Sequence, residues 1–349
     1  MGAQAVFVAV AGWVALALAV PASLATQPAG ADALAFLRPW VTVSADEQQR
    51  LDRGEVVALT IGGDDRQIAI LVLARLQAAP ERLVEWARAI EQFKRGPFVQ
   101  AIGRFSEPPV LADLDRLTLE DEDADDVIAC RPGDCKLKLT ADEMTAFARF
   151  RGQAAAPRRE GARAAFRRVV LERLLAYRAG GFDRLAPIAD RHQRRTADAL
   201  AALLAASPYL ERVPGLPDWL RRPQPAGVDE QFYYWSKESY GSGKPVIGVT
   251  HVAIVRPPPA ADRPAALVVG NQLLATHYSA ASLGLTMVLT AEAGPSYLAY
   301  LNRSELDVLA RLLSGFARST MERRLARQAP LMVQELRRRL ESGPPDAAR

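Results

Sequence analysis

Residues 232–341 place a block of strand-like segments directly before one long helix, and this juxtaposition restricts the chain more than any other feature. Val246–Val255 (VIGVTHVAIV) and 267–278 (LVVGNQLLATHY) are rich in β-branched and apolar residues and bounded by Gly or Pro, as strands are. Segment 282–290 alternates: Leu283, Leu285, Met287 and Leu289 fall on one face, and Ser282, Gly284, Thr286 and Thr290 on the other. Gly294-Pro295 supplies a turn, 297–302 a further strand, and Ser304 with Asp307 three residues on predicts the start of the helix. That helix carries Leu306, Leu309, Leu312, Leu313, Phe316 and Leu325 as one apolar stripe, with Arg311, Arg318, Arg323 and Arg324 between them. Pro330 predicts a kink or break, after which 331–340 resumes the pattern. A sheet of about four antiparallel strands followed by such a helix must bury something between the two layers. The apolar face of 282–290 is expected to turn towards the helix.

A chain of 349 residues, 49% apolar and 24% charged, suffices for one large or two ordinary domains. The net charge of +4 comes almost wholly from arginine, since Lys94, Lys136, Lys138, Lys237 and Lys244 are the only lysines. That balance resembles a compositional bias more than a nucleic-acid surface, and no nucleic-acid partner is expected.

The apolar run 6–20 ends in Pro21 and Ser23-Leu24-Ala25, the small-x-small pattern of a signal peptidase site. No Lys or Arg precedes it, which leaves an uncleaved anchor as the alternative, but the short apolar core favours cleavage after Ala25. Either way the rest of the chain is expected to be exported, to the periplasm or beyond.

Further on, 55–61 and 67–76 read as two strands joined through Gly62-Gly63-Asp64-Asp65. Pro80 then sits at a helix start, Leu83, Trp86, Ile90 and Phe93 make one stripe, and Gly96 closes the helix. Strands, a helix announced by Ala78-Ala79-Pro80-Glu81-Arg82-Leu83, and later a run of antiparallel strands ending in a long helix together resemble the START-related, polyketide-cyclase-like (SRPBCC) helix-grip superfamily. The resemblance covers roughly 50–100 and 230–341 and implies an α+β fold, an antiparallel sheet curved around the long C-terminal helix. It also implies an apolar cavity between sheet and helix for a lipid, sterol or aromatic ligand. The chain departs from that pattern by a large, mostly helical insertion at 105–227. Residues 26–104 and 228–349 then form the two matching parts.

Within the insertion, the acidic run 120–126 lacks the glycine and the terminal glutamate of a calcium loop and reads as a solvated loop. Cys130 and Cys135, the only cysteines, flank a Pro-Gly turn that brings them within reach of a disulfide. The alternatives are a redox pair or half a metal site, but the spacing is not C-x-x-C and no histidine lies nearby, so a structural staple is expected. Thr140 with Glu143 opens a helix, Arg163 to Arg178 forms the next, and 182–206 reads as a third that carries His192 on a polar turn.

The functional candidates gather in the last third. Tyr234 and Trp235, in the aromatic cluster Phe232-Tyr233-Tyr234-Trp235, could pack a core or form the mouth of a cavity. Beside them stand His251, His277, Tyr278, Leu285, Met287, Tyr300 and Leu313, and Arg303, which could anchor a polar head. His251 or His277 would serve acid–base chemistry only next to a carboxylate, Glu238 and Glu292 being the candidates. No G-x-S-x-G, H-E-x-x-H or phosphate-binding glycine loop occurs, and neither a cofactor nor a metal is expected. The reading is therefore an exported binder of a lipid or other apolar small molecule, touching membrane surfaces at most transiently. An enzyme acting on that ligand and a ligand-free envelope protein are the alternatives. N-terminal sequencing of the protein from its native compartment should begin at Thr26, and recovery of Met1 in the cytosol would refute export.

Overall fold

A computed structural model of the chain describes residues 32–222, 227–239, 243–291, 294–310 and 314–346. The proposed leader, Glu292, Leu312, Leu313 and the Phe316 side chain lie outside the described residues.

After helix α1 (Ala45–Asp52), opened by a Ser44–Glu47 capping box, strands β1 (Val57–Ile61) and β2 (Gln67–Leu76) form the expected hairpin. The helix expected to run to Gly96 breaks at Ala89 into α2 (Pro80–Arg88) and α3 (Ile90–Phe93). Strand β3 (Val99–Arg104), which the sequence reading did not separate, precedes the insertion. Beyond the insertion come β4 (Glu230–Glu238), β5 (Val246–Val255), β6 (Ala266–Ala275), β7 (Ser279–Leu289) and β8 (Ser296–Leu306). All eight strands make one antiparallel sheet in the order β1-β2-β8-β7-β6-β5-β4-β3. The C-terminal run is a meander, and the early hairpin joins it through β2 against β8, with Leu71 opposite Leu301. The sheet curves around the C-terminal helix without closing.

β8 continues through Ser304 to Leu306, so the helix expected there starts later. A 3-10 turn at Asp307–Ala310 intervenes before α9 (Ser314–Ser342). Nor does Pro330 end α9, which runs on past it. Leu325, Ala329, Val333, Leu336 and Leu340, on either side of that proline, all pack in the core layer beneath α2. That anchorage on both sides outweighs the single hydrogen bond a mid-helix proline removes.

The insertion holds α4 (Asp121–Ala129), α5 (Ala141–Ala148), α6 (Ala155–Gly180), α7 (Thr196–Ala205) and α8 (Leu216–Arg221). The acidic run opens α4 and is not a loop, and Asp121, Glu122 and Asp123 in its first turn face the positive end of the helix dipole. The run also meets cations: Arg159 lies 2.8 Å from Asp121, Arg158 2.7 Å from Asp125, and Lys244 2.9 Å from Asp123. Just after α4, Cys130 and Cys135 form a disulfide with their Cα atoms 4.6 Å apart. His192 lies in an irregular segment ahead of α7, not in a helix, as Asp190 Oδ1 captures the backbone N–H groups of His192 and Gln193. Among the described residues no helix is long and apolar enough to cross a membrane.

Period-two alternation sends successive side chains of each strand to opposite faces, and both faces are covered. Odd-numbered residues such as Leu73, Trp235, Val249, Val269, Leu283, Leu285, Met287 and Leu301 form one core with the insertion helices. Even-numbered residues such as Ile70, Val72, Val252, Val268 and Leu298 form a second with α2 and α9. The apolar face of 282–290 therefore turns away from the C-terminal helix, correcting the sequence expectation. The reason lies in the insertion, whose own stripes Phe147, Phe166, Val170, Leu174 and Leu203 supply a larger apolar surface for those side chains to meet. The same core runs through insertion and sheet, so the two are one folding unit. Truncating fully buried Leu285 to Ala should lower the free energy of unfolding by ~2–5 kcal/mol in chemical denaturation. A change within the surface range of about ±0.5 kcal/mol would contradict this packing.

Candidate functional site

The face of the sheet towards α3 carries a trough of about 240 Å³, floored by β4 to β8 and roofed, among the described residues, by Ile90, Phe93 and Lys94. Its floor is unusual for central strands, because three glycines stand where side chains would fill it. Gly270 lies opposite Gly284 across β6 and β7, Gly284 opposite Asn302, and Gly248 opposite Ser236. A Cβ on Gly284 or Gly248 would make only ordinary contacts, at 3.8 and 3.5 Å, so no steric demand explains those two, whereas one on Gly270 would press on the Thr250 methyl at 3.3 Å. Glycine inside a strand costs conformational entropy and packing, and it marks a place where something else approaches the backbone.

Between the glycines the floor is polar. Thr250 faces Gln272, Thr286 faces Tyr300, and Ser282 faces Ser304 in the ladder register. Asn302 Nδ2 donates to Ser282 Oγ at 3.2 Å, and Ser304 Oγ donates to Asn302 Oδ1 at 2.9 Å, which fixes the amide. Among the described residues no hydrogen bond engages the hydroxyls of Tyr234, Thr250, Thr286 or Tyr300. Val252, Val268 and Phe93 complete an apolar wall.

At one end Lys94 Nζ lies 2.8 Å from Glu238, whose carboxylate also accepts from Ser236 Oγ at 2.6 Å. The Lys94 ammonium sits 5.7 Å from the centre of the Tyr234 ring, a cation–π contact. Burial works against both charges, but each partner more than compensates the other: Glu238 is held below the usual carboxylate range and Lys94 above the usual ammonium range. Burial also raises the Tyr300 phenol. The pair is thus ionised and neutral as a unit, and it ties α3 to the trough floor.

Of the residues singled out from sequence, Tyr234 and Tyr300 line this trough. The others lie elsewhere. Leu285 and Met287 are fully buried under the insertion. Trp235 is buried there too, its Nε1 donating 2.8 Å to the Asp113 carbonyl and its ring occupying the space a Cβ on Gly103 would need. Arg303 is buried on the same side and donates to Gly62 O at 3.1 Å and Gln67 Oε1 at 3.3 Å. His277 meets Asp123 Oδ2 at 3.1 Å, joining the β6–β7 connection to α4. Tyr278, half-exposed with φ 65°, accepts from the Lys244 N–H through its hydroxyl at 2.9 Å. Leu313 is outside the described residues.

His251 is fully buried on the insertion side. Trp219 Nε1 donates to Gln231 Oε1 at 3.0 Å, so that atom is an acceptor, and His251 Nε2, also 3.0 Å away, must donate to it. Nδ1 then accepts from the Tyr177 hydroxyl at 3.2 Å. With Tyr233 stacked on the ring at 4.2 Å, this is a satisfied neutral core histidine. Neither His251 nor His277 opens into the trough, and Glu238, one proposed partner, is engaged with Lys94 on the opposite face.

Sequence reading passed over Lys94, Thr250, Gln272 and the three glycines. The signal was present as a parity: Gly248-x-Thr250, Gly270-x-Gln272 and Ser282-x-Gly284-x-Thr286 put polar or absent side chains on one face of three successive apolar strands. A second hollow of about 200 Å³ lies between α5, α6 and segment 182–188, where Glu143 and Arg173 are bound to each other at 2.7 Å.

No protein-family model, curated protein or solved structure matches this chain.

Burial pushes the His251 pKa down to about 3. The unfolded state, with an ordinary histidine near 6.5, binds the extra proton between those values, so folded stability is full above pH ~6.5 and declines as pH falls towards 3. Urea unfolding at pH 7 and pH 5 should show a loss of about 2 kcal/mol that is absent in His251→Gln. An identical pH dependence in wild type and variant would disprove the neutral buried state.

Proposed function

We propose that the protein binds a small amphipathic molecule in the trough between the sheet and α3, on a fold of helix-grip type. The observation that carries the reading is the run of glycines and unengaged hydroxyls on central strands whose opposite face is mostly apolar core. A sheet selected only for stability would fill those positions, since each buried apolar side chain contributes roughly 1.5–3 kcal/mol. The apolar ligand implied by the family resemblance is thereby narrowed. Its body would lie against Val252, Val268 and Phe93, and its hydrogen-bonding groups would face Thr250, Gln272, Thr286 and Tyr300. The volume is slightly below the ~300–1,000 Å³ of sites for drug-sized ligands, which favours a small molecule over a long acyl chain. Because Lys94 and Glu238 neutralise each other, a ligand without net charge fits best. Catalysis by His251 or His277 has no support in this geometry. The disulfide supports placement in an oxidising, extracytoplasmic compartment, as the leader pattern does.

Gly284→Leu directs a side chain into the trough, its Cβ making only ordinary contacts with Asn302 Nδ2 at 3.8 Å and Gly270 O at 4.0 Å. It should leave thermal unfolding largely unchanged and remove any small molecule that mass spectrometry finds in organic extracts of protein purified from its native compartment. Equal recovery of that molecule from both proteins, or none from the wild type, would overturn the reading.

A further inference from the structure

The side of α9 that faces away from the sheet has a composition its packing does not explain. At 100° per residue, Leu325, Ala329, Val333, Leu336 and Leu340 share the inward face, and Arg323, Arg324, Arg327, Leu331, Gln334 and Arg338 share the opposite one. All six of the latter are exposed. Arg323 donates only to the hydroxyls of Ser319 and Thr320, and among the described residues no ion pair engages Arg323 or Arg327. Arg338 reaches Glu335 yet remains 69% exposed. At the centre of this basic stripe stands Leu331, 65% exposed. A lone exposed leucine is ordinary; one framed by arginines on the outer line of a 29-residue helix is a pattern.

We propose that this outer face of α9 docks on an anionic phospholipid surface, the arginines pairing with lipid phosphates while Leu331 enters the boundary between headgroups and acyl chains. The two features select this partner together. A soluble polyanion would satisfy the arginines and gain nothing from Leu331, and a neutral apolar partner would offer no counter-charge to Arg323 and Arg327. The proposal is independent of the trough, because none of these six side chains lines it.

Co-sedimentation of the full chain with vesicles tests it, using phosphatidylcholine alone and phosphatidylcholine mixed with phosphatidylglycerol. The readout is the excess binding to the anionic vesicles. The apolar leader run cannot supply that excess, since no Lys or Arg occurs before Arg38. Binding should weaken about five-fold for each of Arg323→Gln and Arg327→Gln, and it should fall with added salt. Leu331→Asn, which leaves the charge unchanged, should also weaken it. Far-UV circular dichroism and thermal unfolding should match wild type for all three. Equal binding to neutral vesicles, or indifference to the arginine substitutions, would overturn the proposal. So would full binding by Leu331→Asn, which would make the face a general polyanion contact. A Leu331→Asn variant that lost self-association and kept vesicle binding would reassign the face to a second copy of this chain.

Discussion

The structure depends on burial of the odd-numbered side chains of β5 to β8 beneath the insertion. Leu283, Leu285, Met287, Leu289 and Leu301 are wholly excluded from solvent, and each belongs to the core shared with α5, α6 and α7. Without the insertion this face would present a continuous apolar surface to water, far beyond the patches a soluble monomer exposes. The insertion is consequently part of the fold's stability and not an appendage, although it enters the chain between two neighbouring strands, β3 and β4.

Polar contacts fix where that layer sits. Lys138 bridges Asp190 at 3.1 Å and Asp307 at 2.8 Å, Arg194 pairs with Glu305 at 2.7 Å, and His277 with Lys244 hold Asp123. Buried ion pairs of this kind contribute little net stability after desolvation, but breaking one leaves an uncompensated charge, so a misplaced insertion is strongly penalised. Apolar burial provides the attraction, and these pairs select one register of helices on sheet. Because the insertion takes over the main core, the other face of the sheet is released from that duty at its centre. There α9 covers β1 and β2, α2 lies across β6, and the stretch of the middle strands beneath α3 holds the glycines and hydroxyls of the trough. The Lys94–Glu238 pair, at the trough's end, couples the position of α3 to the floor.

Much of the local structure was written in the sequence. Alternation and β-branched content located β1, β2, β5, β6, β7 and most of β8, the capping box of Thr140 and Glu143 opened α5, and the Pro-Gly turn brought Cys130 to Cys135. These signals are legible because they rest on contacts within a few residues. The same locality explains the failures. The helix expected at Ser304 yielded to strand pairing of β8 with β2 and β7, and the acidic run became a helix once distant arginines and Lys244 neutralised it.

What the sequence alone determined was the alternation of two kinds of face along each strand, with Leu283, Leu285 and Met287 on one and Ser282, Gly284 and Thr286 on the other. Which layer each face would meet was decided only by tertiary structure, because a period of two distinguishes sides without naming their neighbours. The helix nearest in sequence was the natural candidate to cover the apolar side, yet the insertion, entering between β3 and β4, covers it. That choice set the polar side of the same strands towards α3, and it moved the candidate site from the leucines to the glycines.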